Sequence, residues 1–273
     1  MNRIWDVRIR RAGDLTTAYP FAAEALRFYA QLAMLQQRLA SELEQAPTQV
    51  FTADSAFWKR LSLPAVLPRF SIFLSNIRKI APAALSQSAA NLLQEDSARW
   101  SSLIEEFWHS PSTITDVMLQ KDASVTSQYL TWLFLQPFAE YVASQPKQII
   151  SDGNARRCPL CGGAPIVGVL RPEGDSARKS LVCMLCAHEW AFRRIYCPAC
   201  GEERESHMAF YSAPEIAHIR VDVCETCRSY TKSVDLSKFG LAVPVVDELA
   251  ALPLDLWARE NGYQKLQINA VGI

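Results

Sequence analysis

Residues 157–165 read RCPLCGGAP, residues 181–190 read LVCMLCAHEW, residues 197–201 read CPACG and residues 224–227 read CETC. These stretches contain all eight cysteines of the chain, and every cysteine belongs to a Cys-x-x-Cys pair. Two intervening residues let the backbone form a tight knuckle that points both sulfurs at one ion, and two facing knuckles complete a tetrahedron of thiolates. The sequence therefore predicts two four-cysteine metal sites, one formed by Cys158, Cys161, Cys183 and Cys186 and the other by Cys197, Cys200, Cys224 and Cys227.

The lengths of chain between the pairs indicate how the pairs combine. The first and second pairs are separated by 21 residues (162–182) and the third and fourth by 23 residues (201–223), and each length suits one β-hairpin. Only 10 residues (187–196) lie between the second and third pairs, which suits a connector. The spacing favours two ribbons in tandem over a cross-braced arrangement in which the first pair joins the third and the second joins the fourth.

Each ribbon has about 30 residues, too few to bury enough apolar surface to offset the chain entropy lost on folding. Structural zinc contributes on the order of 10 kcal/mol to such modules, so metal binding is expected to stabilise them. Four sulfurs accept zinc or iron, and an iron–sulfur cluster also takes four cysteines. A thioredoxin-type dithiol is the weaker alternative, because it expects one Cys-x-x-Cys pair at the start of a helix in a βαβ setting.

The N-terminal half is predicted to be helical. One apolar stripe with spacings of four and three is formed by Phe28, Leu32, Leu35, Leu39 and Leu43. Further helices are predicted at Leu67–Ile80, Ala83–Gln94, Ser97–His109 and Val125–Ser144. No paired acids, phosphate-binding loop or Ser/His/Asp combination appears in this half of the sequence, so the prediction is a helical core and not an enzyme active site.

The pattern changes at 145–157, a polar stretch that is predicted to be a linker. Short β-type runs follow at Ile166–Leu170, Ser180–Val182, Trp190–Phe192, His207–Tyr211 and Ile219–Val223. A last helix is predicted over Val245–Asn261, with a kink at Pro253. The sequence thus predicts an α+β protein with a helical domain at 1–150, a first four-cysteine ribbon at 151–196, and a second ribbon with a C-terminal helix at 197–273.

Charge and hydropathy bound the partners and the compartment. The 273 residues include 28 Lys+Arg and 28 Asp+Glu, and this balance disfavours nucleic acid as a partner. The charged N-terminus has no apolar stretch long enough for a signal peptide, and no segment reaches the roughly 20 apolar residues that cross a bilayer. Together with paired cysteines, this predicts a cytoplasmic protein without a membrane span. Basic residues nevertheless cluster around the knuckles at Arg156, Arg157, Arg171, Arg178, Lys179, Arg193 and Arg194.

The four knuckles, in this order and spacing after a helical domain, resemble the FdhE family of formate dehydrogenase accessory proteins. The resemblance covers the architecture of essentially the whole chain, and it implies two tandem rubredoxin-like or zinc-ribbon-like modules whose eight cysteines bind iron or zinc. Gly162 and Gly201 follow the first and third pairs, where a positive φ lets backbone amides turn towards the thiolates. Ala187 and Arg228 stand at the other two positions and depart from the ideal rubredoxin knuckle.

The resemblance also implies a function. Members of the family are cytoplasmic assembly factors required for active respiratory formate dehydrogenase, and they bind its catalytic subunit before export. On this interpretation the chain is not an enzyme, and its metal-stapled ribbons form a binding module. A redox-active rubredoxin-like electron-transfer protein is the main alternative, and a zinc ribbon that binds nucleic acid is the lesser one.

Overall fold

The computed structural model describes residues 2–45, 50–51, 57–111, 113–114, 123–145, 154–174 and 176–273. Within the described residues, the N-terminal half contains helices α1 (Asn2–Ala18), α2 (Ala23–Gln45), α3 (Leu63–Ile77), α4 (Ala83–Leu92), α5 (Ser97–His109) and α6 (Ala123–Ser144). The helices predicted from the sequence are therefore confirmed. Most of the predicted linker, and with it the domain boundary at residue 150, lies outside the described residues.

Helix α6 is the centre of the helical half. Its residues are buried on all sides, as expected for a helix enclosed by others. Phe134 lies at the middle of an aromatic cluster, with ring centroids 4.9 Å from Phe70 and 4.9 Å from Phe138. Helices α2 and α5 pack against α6, and α1 packs against α2. The apolar surface of α6 thus forms the core of this half.

Helix α1 lies in the part of the chain predicted to be helical, but its bounds were not predicted from the sequence. Its buried stripe contains Trp5, Arg8, Ala12 and Leu15, which have the spacing of one helical face. Arg8 interrupts the apolar pattern of this stripe. Its partner is distant in sequence, since Arg8 Nη1 donates to Glu140 Oε1 of α6 at 2.8 Å. A charged residue is compatible with a buried helix face when another helix supplies the opposite charge.

The C-terminal half is built on one seven-stranded sheet. The strands are β1 (Pro165–Glu173), β2 (Ser176–Cys183), β3 (Glu189–Ala191), β4 (Met208–Ser212), β5 (Ile219–Cys224), β6 (Ser229–Asp235) and β7 (Gln264–Lys265). Their order is β3-β2-β1-β6-β5-β4, and β7 pairs with β6 beside β1. Each predicted β-type run is found as a strand, whereas β6 and β7 were not predicted.

The two ribbons are joined by the pairing of β1 with β6, which is parallel over Gly168–Leu170 and Ser233–Asp235. A Cβ atom at Gly168 would overlap Ser233 Oγ, so glycine is needed at this position while serine occupies position 233. Ser233 Oγ donates to Asp222 Oδ2 at 2.6 Å, and Lys179 Nζ of β2 donates to the same oxygen at 2.8 Å. The predicted tandem ribbons therefore share one continuous sheet, a feature that hairpin spacing alone does not indicate.

A buried ionic cluster lies between the sheet and the C-terminal helices α7 (Pro244–Ala250) and α8 (Leu252–Glu260). Lys232 Nζ of β6 lies 2.8 Å from Glu248 Oε2 and 2.5 Å from Asp255 Oδ2. Lys265 Nζ lies 3.1 Å from Asp255 Oδ1, and Tyr230 donates its hydroxyl to that oxygen at 2.8 Å. Burial raises the pKa of Asp255, but the two ammonium groups outweigh burial and hold that pKa below its ordinary value.

The C-terminal helical segment and the tail connect the two halves. The predicted helix over 245–261 is divided at Ala251, just before the proline that was expected to kink it. Beyond β7, the tail returns to the helical half, where Ile268 N donates to Ile114 O at 3.1 Å. Tyr129 of α6 donates its hydroxyl to Ala270 O at 2.9 Å. The tail is therefore buried between the helices and the sheet.

Candidate metal centres

The first cluster consists of Cys158, Cys161, Cys183 and Cys186, and its four Sγ atoms lie within 4.8 Å of one another. The Sγ–Sγ distances are 3.6 Å for Cys158–Cys186, 3.3 Å for Cys161–Cys183 and 3.5 Å for Cys161–Cys186. A tetrahedron with metal–sulfur bonds of about 2.3 Å has edges of about 3.8 Å. The spacing of these sulfurs therefore fits one tetrahedral transition-metal ion.

The second cluster consists of Cys197, Cys200, Cys224 and Cys227, which meet the same 4.8 Å limit. Here Sγ–Sγ distances are 3.7 Å for Cys197–Cys227 and 3.8 Å for Cys200–Cys224, close to the tetrahedral edge. The structure brings the pairs together in chain order, the first with the second and the third with the fourth. The cross-braced arrangement is not the one that the structure adopts.

All four knuckles have the same backbone turn. The residue after the second cysteine has a positive φ in each: +75° at Gly162, +52° at Ala187, +83° at Gly201 and +58° at Arg228. In three of them its amide donates to the carbonyl of the first cysteine at 2.9 Å, as in Gly162 N to Cys158 O. The two non-glycine residues thus adopt the turn that the glycines make at lower steric cost.

Gly163 is a site residue that the sequence analysis missed. Its amide donates to Cys161 Sγ at 3.4 Å. A Cβ atom at this position would lie 2.8 Å from Cys183 Sγ and 3.3 Å from Cys161 Sγ, closer than side-chain atoms normally approach. The Gly-Gly doublet at 162–163 was the available signal, because only one of the two glycines is needed for the positive φ.

The first cluster is enclosed by the helical half. Its four cysteines are only 2–4% exposed. The carbonyl of Met184, between the cysteines of the second knuckle, accepts hydrogen bonds from Trp132 Nε1 at 3.0 Å and Gln136 Nε2 at 2.9 Å, both on α6. Arg157, beside the first knuckle, donates to Pro111 O at 3.3 Å. Helix α6 therefore fixes the position of this cluster.

The second cluster lies at the surface. Cys197 and Cys224 are buried, but Cys200 is exposed and Cys227 is partly exposed. The third and fourth knuckles are joined on the solvent side by the Thr226 hydroxyl, which donates to Glu202 Oε2 at 2.5 Å. The two clusters have the same four donors and differ in their access to solvent.

The thiols of each cluster compete for negative charge. Hydrogen bonds from neighbouring thiols, chiefly Cys161, lower the pKa of Cys158, whereas burial raises the pKa of Cys183 well above its usual range. Burial also raises the pKa of Cys227, but hydrogen bonds with Ser229 outweigh burial and set that pKa to about 7. Four sulfurs at these distances become thiolates together only when a cation neutralises them. The donor set suits zinc and iron equally.

Three of the basic residues around the knuckles form ion pairs within the chain. Arg171 makes a two-pronged contact with Glu189, with a shortest distance of 2.8 Å. Lys179 is buried against Asp222, and Arg193 Nη2 lies 3.0 Å from Glu203 Oε2. These side chains therefore contribute ion pairs to the sheet and to the connector between the clusters.

Family models match most of the C-terminal half. The model described as "FdhE, central domain" matches residues 157–194, and "FdhE, C-terminal domain" matches residues 195–271. The division between the two models at 194–195 falls between the two clusters. Each matched segment thus contains one complete set of four cysteines.

Curated relatives show the same likeness. A "Protein FdhE homolog" of Aquifex aeolicus is 33% identical over 140 residues, which cover 51% of this chain and 50% of the relative. A "Protein FdhE homolog" of Haemophilus influenzae (strain PittGG) is 26% identical over 284 residues, which cover 97% of this chain and 87% of the relative. The chain therefore spans about half of the Aquifex relative and most of the Haemophilus one.

The fold matches a solved structure over nearly its whole length. The crystal structure of the FdhE protein from Pseudomonas aeruginosa superposes with a TM-score of 0.71 at 23% sequence identity, covering 99% of this chain and 96% of that one. The α+β architecture predicted from the sequence, helices followed by a sheet-rich half with two cysteine clusters, is confirmed. Among the described helices, none has the length and hydropathy needed to cross a membrane.

Proposed function

The chain belongs to the FdhE family, and from this membership we propose that it is a cytoplasmic accessory protein for the assembly and activation of formate dehydrogenase. In this proposal the partner is the catalytic subunit of that enzyme, and the chain binds it without catalysing a reaction. The metal-stapled ribbons provide the binding surface, and the helical half supports them.

The proposed metal ligands are all eight cysteines, four to each ion. The observation that carries this assignment is the gathering of sulfurs into two groups at near-tetrahedral spacing. Each ion, zinc or iron, would be bound by four thiolates and would cross-link two knuckles at one end of a hairpin. Its contribution would be structural, because it would fix segments that are too short to fold on their own apolar surface.

A pull-down tests the proposed partner. Affinity-tagged chain is mixed with the catalytic subunit of formate dehydrogenase, and the retained subunit is quantified. We expect wild type to retain it and a Cys158→Ser/Cys161→Ser double variant to retain much less. Gly162→Ala is the matched control, because it alters the same knuckle, keeps both sulfurs and has open space for its Cβ atom.

Two outcomes would contradict the proposal at different points. If wild type fails to retain the catalytic subunit, the partner is wrong. If the double variant retains it as well as wild type does, the first ribbon has no part in docking. Circular dichroism of each variant shows whether its helices have formed, so that loss of binding is not confused with loss of the whole fold.

The all-sulfur donor set also supports a redox protein as the alternative, since iron bound by four thiolates cycles between two oxidation states. An absorption spectrum separates the two functions. A visible thiolate-to-iron charge-transfer band that bleaches with dithionite would favour the redox protein. Colourless protein with stoichiometric zinc would exclude it.

A further inference from the structure

The two clusters differ in how completely the fold encloses them, although their sulfurs have the same arrangement. In the first cluster, Met184 and Leu185, the residues between the cysteines of the second knuckle, are 1% and 0% exposed. In the second cluster, the residues at the corresponding positions of the fourth knuckle, Glu225 and Thr226, are exposed. This contrast concerns the knuckles themselves and not only single sulfur atoms.

We propose that the second cluster is the site through which the protein exchanges metal with solution, and that the first cluster is a permanent staple. This inference rests on the proposed function only in taking both clusters as metal sites. The exchanged species would be a transition-metal cation that prefers sulfur, and soluble thiols would carry it. Cys200 and Cys227 are the sulfurs that such a thiol or cation can reach.

The exchange at Cys200 balances without a redox partner. An outside thiol that displaced Cys200 from the ion would lose its proton, and the freed Cys200 sulfur would take that proton up; the same exchange repeated at the other three sulfurs would transfer the ion. Cys197 and Cys224 are buried, and Cys224 is the last residue of strand β5. The second cluster can therefore open on one side while the hairpin stays paired.

Opening the first cluster requires a larger change. The second knuckle is hydrogen-bonded through Met184 O to Trp132 and Gln136 of α6. A reagent reaches Cys183 or Cys186 only after this knuckle leaves the helix, and both hydrogen bonds are broken in that step. Because both hydrogen bonds must break before the first cluster is reached, we expect the two clusters to differ at least about tenfold in reactivity.

Timed alkylation of the full chain as purified tests the proposal. The protein is treated with N-ethylmaleimide, quenched at intervals and gel-filtered. Mass spectrometry then locates the labelled cysteines, and elemental analysis measures the metal that remains. We expect Cys200 and Cys227 to be labelled first, with loss of one metal equivalent, and the cysteines of the first cluster to follow at least about ten times more slowly.

A variant assigns the slow phase. Trp132→Phe combined with Gln136→Leu removes both donors to Met184 O, and it should accelerate labelling of the first cluster while leaving the second unchanged. Equal labelling rates for the two clusters in wild type, or earlier labelling of the first, would overturn the proposal. Both measurements use the chain alone, so they are independent of the pull-down that tests the partner.

Discussion

Gly163→Ala is the substitution whose effect follows most directly from the geometry of the first cluster. The new Cβ atom would lie 2.8 Å from Cys183 Sγ, 3.3 Å from Cys161 Sγ and 3.6 Å from Leu185 Cβ. Non-bonded heavy atoms pack best at about 3.5–4.0 Å, so Cys183 Sγ must move by more than half an ångström. Ligand distances in a metal site are tolerated within about 0.2 Å. The substitution therefore removes Cys183 from the tetrahedron.

The expected cost has two parts. Overpacking alone costs about 1–3 kcal/mol, and loss of the ion forfeits part of the binding free energy, which is on the order of 10 kcal/mol for structural zinc. Gly162→Ala is the matched control one residue away, where a Cβ atom meets nothing within 4 Å and φ is +75°. Its cost is only that of a left-handed non-glycine residue, about 1–2 kcal/mol.

Elemental analysis and thermal unfolding distinguish these two variants. Wild type and Gly162→Ala should each retain metal in both clusters, whereas Gly163→Ala should retain it only in the second. The midpoint of thermal unfolding should fall further for Gly163→Ala than for its neighbour. If Gly163→Ala keeps a full metal load and unfolds at the same temperature as Gly162→Ala, then the new Cβ atom does not displace Cys183 Sγ from the site.

Three further substitutions probe the joints of the fold. Gly168→Ala should destabilise the protein by about 1–3 kcal/mol through its clash with Ser233, and the same substitution should cost less in a Ser233→Ala background, which already lacks the hydrogen bond to Asp222; an equal cost in the two backgrounds in urea unfolding would contradict the clash. Asp255→Asn, which leaves the charge of Lys232 under-compensated, should cost about 3–5 kcal/mol at pH 7. Because the native state lowers the pKa of Asp255, the carboxylate stabilises the fold above the unfolded pKa of about 3.9, and this stabilisation is lost as the pH falls through the lower folded value. The difference in the free energy of unfolding between wild type and Asp255→Asn should therefore decrease below about pH 4 in urea titrations. A difference that increases there would mean that folding raises the pKa of Asp255 instead of lowering it. Trp132→Phe removes one donor to the second knuckle and should cost about 1 kcal/mol, measured by the same titration, with full metal content retained.

The cysteine groups could be predicted because their signal is local. Each pair is four residues long, and the lengths between pairs select the hairpins. Helix α1 and strand β6 were not predicted individually, because the partners of their buried charged residues Arg8 and Lys232 are distant in sequence. Strand β6 reads SYTKSVD, and its Lys232 is compatible with a buried strand only because Glu248 and Asp255 face it.

The difference in exposure between the clusters also could not be predicted from the pairs themselves. It depends on α6, which lies against the second knuckle, and on the donors Trp132 and Gln136 more than 40 residues earlier in the chain. The sequence of that helix is apolar on all sides, so it predicts burial without saying which segment covers which face. Only the folded structure shows that the face of α6 with Trp132 and Gln136 contacts Met184.

The buried tail has a consequence for biosynthesis. Residues near 268–270 contact Ile114 and Tyr129, which lie some 150 residues earlier in the chain. Ribosomes synthesise about 5–20 residues per second. The helices are therefore synthesised roughly 7 to 30 seconds before the segment that packs against them. During that interval the nascent chain exposes apolar surface. Binding of a chaperone, or of metal by the first four cysteines, would reduce aggregation of the unfinished chain.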